Sequence, residues 1–339
     1  MKRIGKLFDK TFSRENLYQA YLDARKGKRK KCACFLFEIN LGANLEELYQ
    51  KIHSNNYKPE PYFKFYVYEP KKRIIYAPAF KDIVVQHAIY RMIYSIFDKT
   101  FIDTSFACRE GYGTHRASKY TQKALRQYDK NLYTLKLDVK KYFYSMDRKI
   151  LKKLIERKIK DKRFVDMMME FAIYENPVGI PIGNLLSQIY ALIYLNPLDH
   201  YIKRTLKIKH YVRYVDDFIL IGLTRDKCLE YKSKIIAFLK NNLSLILSKS
   251  IIQKIKRGVN FVGYRTWKNY KLIRKYSLYK FKKCVKKVEL QSIVSLLGHA
   301  KDTLSIKYML KIIKEANKYA KNIQLPKSYR QVYNLYCGR

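Results

Sequence analysis

Two apolar, β-rich runs, Tyr211–Val215 and Phe218–Gly222, flank the dipeptide Asp216-Asp217. That spacing predicts a tight hairpin with buried strands and two adjacent carboxylates at its tip. Like charges in contact repel and push one pKa upward unless a cation neutralises them. Mg²⁺ meets that need, because it takes oxygen ligands, binds through one or two carboxylates plus substrate phosphates, and leaves room for a second ion. Asp-Asp is also ordinary turn chemistry, so the dipeptide alone does not decide. A third acid favours the metal: Asp138 stands near the end of the apolar run Thr134–Val139, a buried strand by its pattern, where packing gives no reason for a charge.

The charge of the chain points the same way. Its 339 residues include 71 Lys and Arg against 28 Asp and Glu, a formal charge of +43, as expected of a protein with a polyanionic partner. AT-rich coding and solvated helix faces explain some of the lysines. Aromatic residues make up 15% of the chain, 32 of them Tyr, and they interleave with the basic ones. Bases stack on such rings while cations follow phosphates, although most of the rings are expected in the core. An anionic membrane is the rival partner, but the chain has no apolar run of about 18 residues. Met1–Lys10 is basic and broken by polar residues, so no signal peptide is expected and a cytoplasmic protein is. Cys32, Cys34, Cys108, Cys228, Cys284 and Cys337 form no CxxC pair and no zinc spacing, which predicts reduced thiols and no structural zinc.

Along the chain, Ser13 is placed to cap a helix carrying Leu17, Ala20, Tyr21 and Ala24 on one face, and Leu45, Leu48, Tyr49 and Ile52 mark a second. Phe65–Tyr68 and Arg73–Tyr76 read as a basic hairpin turning at Glu69-Pro70. Helices are expected over Lys81–Lys99, Arg148–Lys160 and Asn184–Leu195, the last with Pro197 as a candidate break before a helical stretch to Leu206. After the acidic hairpin come a helix around Asp226–Asn241, a strand pair near Ile251–Ile255 and Val259–Thr266, and a helical, lysine-rich tail.

In this order the motifs resemble the palm of reverse transcriptases, across most of the chain. Tyr214-Val215-Asp216-Asp217 resembles the catalytic box, and Leu137-Asp138-Val139-Lys140-Lys141-Tyr142-Phe143 the box holding the first metal-binding aspartate. Asn260-Phe261-Val262-Gly263-Tyr264 is similar to the primer-gripping segment. Arg73–Pro78 with Lys81–Ala88 resembles the fingers motif, and Ser105–Arg109 with Gly113-Thr114-His115 the motif after it. The resemblance implies an α+β right-hand polymerase. Residues 1–130 would form the amino-terminal extension and fingers, 131–268 a palm of antiparallel sheet plus helices, and 269–339 a basic helical thumb.

Carried over by position, Asp138, Asp216 and Asp217 are the implied catalytic residues. With Val139 they are also the implied ligands of two Mg²⁺, for which Mn²⁺ can substitute. Arg73 and Arg109 would clamp the dNTP triphosphate, as suits the guanidinium fork. Lys140, Lys141, Tyr142, Phe143, Ile182 and Gly183 would line the nucleotide site, with Phe143 excluding a 2′-hydroxyl. Gln188, Lys249, Gly263 and Tyr264 would contact template or primer.

One loop departs from the general pattern. Most reverse transcriptases have Gln-Gly where this chain has Ile182-Gly183, and Ser-Pro where it has Ser187-Gln188. The Ile-Gly-Asn-Leu-x-Ser-Gln form resembles the enzymes of diversity-generating retroelements, as do Val67–Lys71, Phe261–Trp267 and Gly298-His299-Ala300. That resemblance implies copying of a template RNA into cDNA with errors opposite adenines. It also implies a small basic helical accessory protein as partner, alongside template RNA, primer strand and dNTPs. A compact retron-like or phage-defence reverse transcriptase is the alternative enzyme. A catalytically silent RNA-binding scaffold would satisfy the charge but gives no reason to keep three carboxylates.

Overall fold

The structure is a computed structural model in which residues 3–68, 72–318 and 323–326 are described. The expected turn at Glu69-Pro70, Lys71 beside it, Cys337, and positions 319–322 and 327–339 of the basic tail lie outside these residues.

Helices α1 (Phe8–Thr11) and α2 (Arg14–Ala24) open the chain, with the Ser13 hydroxyl accepting the Asn16 N–H at 3.2 Å. Leu17, Ala20, Tyr21 and Ala24 are the buried face of α2, as their spacing predicts. α3 (Cys32–Ile39) has no helical periodicity, and of its apolar side chains only Cys34 is buried. α4 (Leu41–His53) follows. Strands β1 (Phe63–Val67) and β2 (Arg73–Ala77) then pair antiparallel from Phe63↔Ala77 to Val67↔Arg73, which is the expected basic hairpin. Next come α5 (Phe80–Asp98), α6 (Thr114–Arg126), β3 (Tyr133–Val139), α7 (Tyr142–Ser145), α8 (Arg148–Glu156) and α9 (Lys162–Glu170).

α10 (Leu185–His200) starts at Asn184, whose side chain accepts the Leu186 N–H. It runs through Pro197, correcting the expected break: the chain continues from His200 into a π-helical turn over Tyr201–Thr205. Proline removes one helical donor and crowds the carbonyl one turn earlier, yet α10 carries on past it.

β4 (His210–Tyr214), β5 (Asp217–Leu223), α11 (Arg225–Leu243), β6 (Leu247–Lys254), β7 (Val259–Phe261), β8 (Tyr264–Thr266) and β9 (Lys271–Ile273) precede α12 (Lys275–Lys287), α13 (Leu290–Ala300) and α14 (Ser305–Lys318). The four-stranded sheet has the order β4-β5-β3-β6, and β7-β8-β9 form a separate three-stranded sheet. The strand pair expected from Ile251 to Thr266 is therefore divided between two sheets. A 3₁₀ turn at Ile255–Arg257 and Gly258, at φ 71°, separate its halves.

The chain groups into two compact units. The first contains Met1–Asp103, Asp138–Lys207 and Ser233–Lys249, and in it α5 packs on α2 and α10. The second contains Thr104–Leu137, Ile208–Lys232 and Ser250–Arg339. One core of the second unit joins Val212, Ile219 and Ile221 of the acidic hairpin to Phe106, Leu125, Val259 and Phe261. Another joins Tyr264 and Ile273 to Phe281, Leu297, Met309 and Ile313 of α12–α14. The fold is α+β, and no described helix is long and apolar enough to cross a membrane.

Candidate active site

The register of β4 and β5 runs from His210↔Ile221 to Tyr214↔Asp217. Only Val215 and Asp216 therefore form the connection, and Asp217 is the first residue of β5. The spacing in the sequence predicts both acids at the tip, and the register moves Asp217 into the strand. Val215 takes the left-handed conformation at φ 56° that a two-residue turn needs, which is unfavourable for a β-branched side chain.

Asp217 Oδ2 accepts a 2.7 Å hydrogen bond from Lys136 Nζ, with the two side chains 24% and 16% exposed. Lys136 also donates to the Asn260 carbonyl at 2.7 Å, so one ammonium ties the hairpin acid to β7. Sequence reasoning missed Lys136 because one lysine in so basic a chain carries little signal. The usable clue is its position two residues before Asp138, which puts both side chains on the same face of β3.

Other residues of the second unit are held more tightly than their expected roles suggest. Arg109 is buried, its Nη1 donating to the Ser105 carbonyl at 3.2 Å and its guanidinium 4.0 Å from the centre of the Tyr112 ring. Tyr264 is buried and stacked on His299, ring centroids 4.4 Å apart, and its hydroxyl donates to the His299 carbonyl at 2.7 Å. Gly263 sits at φ 90°, and a Cβ there would fall 2.8 Å from the His299 ring. Burial, ahead of the other causes, holds the His299 imidazole below its ordinary pKa.

In the first unit, Asp138 is half-buried, and the Ser248 hydroxyl donates to its carboxylate and lies 3.1 Å from its main-chain oxygen. The Lys140 N–H donates to the Ile246 carbonyl at 2.8 Å, holding the end of β3 beside the start of β6. Val139 is buried and can offer only its main-chain carbonyl oxygen. Lys140 and Lys141 are exposed, whereas Tyr142 is in the core, its hydroxyl donating to the Ala191 carbonyl at 2.5 Å.

Three segments converge near Phe143. The Ile180 N–H donates to the Phe143 carbonyl at 2.8 Å, the Tyr76 N–H to the Ile182 carbonyl at 2.7 Å, and the Tyr144 hydroxyl to the Ile74 carbonyl at 3.3 Å. The loop around Ile182-Gly183 is thereby fixed between α7 and β2, the strand that carries exposed Arg73. Gly183 has φ 111°, and a Cβ there would come within 2.6 Å of Ile75 Cγ2. Gln188 on α10 and Lys249 on β6 are exposed.

Among the described residues no group of three or more His, Cys, Asp and Glu is arranged to hold a metal ion. The donor chemistry nevertheless suits a hard divalent cation, because the acids offer only oxygen. The bond from Lys136 shows that Asp217 already draws a cation to itself. The five described cysteines are free thiols.

An α+β body whose sheet includes a buried hairpin with adjacent aspartates has the arrangement that the resemblance to a polymerase palm implies. The chain matches the reverse transcriptase (RNA-dependent DNA polymerase) family over residues 59–266, more than half its length, and it belongs to that family. It is 23% identical over 296 residues to the group II intron-encoded protein LtrA of Lactococcus lactis subsp. cremoris, covering 65% of this chain and 49% of that one. It is also 23% identical over 291 residues to protein YkfC of Escherichia coli strain K12, covering 72% of this chain and 75% of that one. The chain thus spans about half the length of the intron-encoded relative. Among solved structures, telomerase from Candida albicans in complex with a fragment of telomeric RNA superposes with a TM-score of 0.49 at 13% identity, over 86% of this chain and 63% of that one.

Proposed function

We propose that the protein is an RNA-directed DNA polymerase that extends a primer along a template RNA. The observation that carries this reading is the β4–β5 hairpin, with Asp216 in its turn and Asp217 at the start of β5, inside the segment that matches the reverse transcriptase family. β5 neighbours β3 in the sheet, and Asp138 is the next-to-last residue of β3. Asp138, Asp216 and Asp217, with the Val139 carbonyl, would hold two divalent ions. When bound, such ions supply charge that favours deprotonation of a primer 3′-hydroxyl and steadies departing pyrophosphate. Lys136 orients Asp217, and the Ser248 hydroxyl steadies Asp138. Arg73 binds triphosphate oxygens from β2, and Phe143 closes the side of the pocket where a 2′-hydroxyl would lie. On this reading residues 1–130 serve as extension and fingers, 131–268 as palm and 269–339 as thumb.

The particular enzyme we infer is that of a diversity-generating retroelement, served by a small basic helical accessory protein. Support lies in Ile182-Gly183-Asn184-Leu185-Leu186-Ser187-Gln188 and in how the loop is held. It is tied to β2 through the Ile182 carbonyl, which accepts the Tyr76 N–H. A branched alkyl group there offers no hydrogen bond to a nascent base pair, leaving selection to shape and lowering the penalty for a mismatch. The test is to sequence cDNA made on an adenine-containing RNA template by wild type and Ile182→Gln. Errors concentrated at adenines in wild type and reduced in the variant are expected. Accurate wild-type copying would leave a polymerase of the other compact type, and an unchanged error pattern would remove Ile182 from the explanation.

A further inference from the structure

The acidic hairpin rests on an arginine that no part of the proposed chemistry uses. Arg213 is fully buried and among the largest side chains with no exposure. Burying a guanidinium is costly unless its donors are satisfied, and one of the groups that satisfies this one belongs to the hairpin turn. Nη1 donates to the Val215 carbonyl at 2.9 Å, across the residue that takes φ 56°. A β-branched residue in that region is strained and stays there only when its surroundings impose it. The bonded carbonyl belongs to the peptide that leads directly into Asp216.

The backbone of Arg213 makes a second connection. Its N–H donates to the Thr104 carbonyl at 2.9 Å, and its carbonyl accepts the Phe106 N–H at 3.0 Å, pairing it with Ser105 in a parallel bridge. The Ser105 carbonyl in turn accepts from Arg109. One buried residue thus joins the strained turn to the segment carrying Arg109.

We propose that Arg213 is a positioning residue: its guanidinium holds the Val215-Asp216 turn in its left-handed shape and registers it against Thr104–Arg109, so that the aim of Asp216 depends on it. This rests on the polymerase reading for its functional consequence, but its structural content can be tested separately. Lysine keeps the charge and lacks the planar fork, so it cannot reproduce the same support. Glycine at 215 adopts positive φ without strain, so the turn would no longer need to be held.

The experiment is a double-mutant cycle on the full chain with Arg213→Lys, Val215→Gly and the pair. It is read by urea unfolding and by single-nucleotide primer extension on an RNA template with Mg²⁺. Arg213→Lys is expected to lower kcat by about 100-fold while KM for dNTP and template–primer Kd stay within about threefold, because displacing a reacting group by about 1 Å has effects of that size. In the Val215→Gly background the same change should cost less than about tenfold in kcat, and the losses in urea midpoint should be less than additive. Equal factors and additive midpoints in both backgrounds would overturn the proposal, showing Arg213 to be ordinary core packing. If Arg213→Lys does not fold, recovery of folded protein on adding Val215→Gly is the same coupling read at the level of folding, and failure to recover overturns it. If wild type extends no primer, the polymerase reading fails, and the urea cycle alone decides the role of Arg213.

Discussion

Lys136→Met keeps most of an apolar stem and removes the ammonium that bonds Asp217 Oδ2 and the Asn260 carbonyl, each at 2.7 Å. At that separation the bare attraction for Asp217 is about 6 kcal/mol in an effective dielectric of about 20, before either group's desolvation is counted. The side chains stay 16% and 24% exposed, and a hydrogen bond to a charged group contributes a net 1.5–3 kcal/mol or so. We therefore expect Lys136→Met to lose about 2 kcal/mol of unfolding free energy in metal-free buffer, measured by urea denaturation. Mg²⁺ should then restore much of that loss. Removing a positive charge beside Asp217 makes the site more attractive to a cation, and tenfold tighter binding returns about 1.4 kcal/mol at saturating metal. The assay compares urea midpoints of wild type and variant in EDTA and in millimolar Mg²⁺. A loss of the same size under both conditions would refute the shared-site reasoning, and no loss in EDTA would refute the energetic assignment of the bond itself.

Three further outcomes are expected. Asp82 is fully buried and accepts from the Tyr57 hydroxyl at 2.6 Å and the Glu60 N–H at 2.9 Å, so Asp82→Ala, which leaves two donors unpaired at about 1–3 kcal/mol each, should destabilise the fold by roughly 2–5 kcal/mol in the same urea assay. Gly183→Ala places a methyl where Ile75 Cγ2 and the Tyr76 carbonyl already stand, so steady-state extension should show KM for dNTP raised roughly tenfold, with template–primer binding retained. Burial holds the His87 imidazole down at about 4 rather than the ordinary 6.5. The unfolded chain therefore binds the extra proton first, stability is lost as pH falls from about 6.5 towards 4, and His87→Gln should flatten that slope in thermal unfolding followed against pH.

Much of this architecture is legible where burial imposes a period. The faces of α2 and α4 follow from spacing, because each has one side that must leave water, whereas β3, β4 and β5 follow from short apolar runs most of whose residues are buried on both faces of the sheet. α3 does not, since its apolar side chains Phe35, Leu36 and Ile39 are exposed and obey no core-facing pattern. The division of Ile251–Thr266 between two sheets was hidden for a different reason: strand propensity says which residues extend but not which neighbour they pair with. At the site, the residue types in the acidic hairpin could be read directly, whereas the bonds that Lys136 and Arg213 make, to Asp217 at a sequence separation of 81 and to the Val215 carbonyl, could not. Strand periodicity puts Lys136 on the face of Asp138 but does not say which carboxylate it bonds. Conversely, motif position marks Tyr142 and Tyr264 as contacts for nucleotide or primer, yet each has its hydroxyl committed to a main-chain carbonyl within the protein.

The most direct measurement is extension of a primer annealed to RNA by the purified full chain with dNTPs and Mg²⁺, run beside Asp216→Asn. The variant keeps the size of the side chain and the turn while removing one carboxylate charge. Polymerase action through the hairpin requires templated products from wild type, their abolition by EDTA, and a loss of at least about 1,000-fold in the variant, equivalent to roughly 4 kcal/mol of transition-state stabilisation. Equal extension by both proteins, or metal-independent extension by wild type, would contradict the assignment of the acidic hairpin as the catalytic centre.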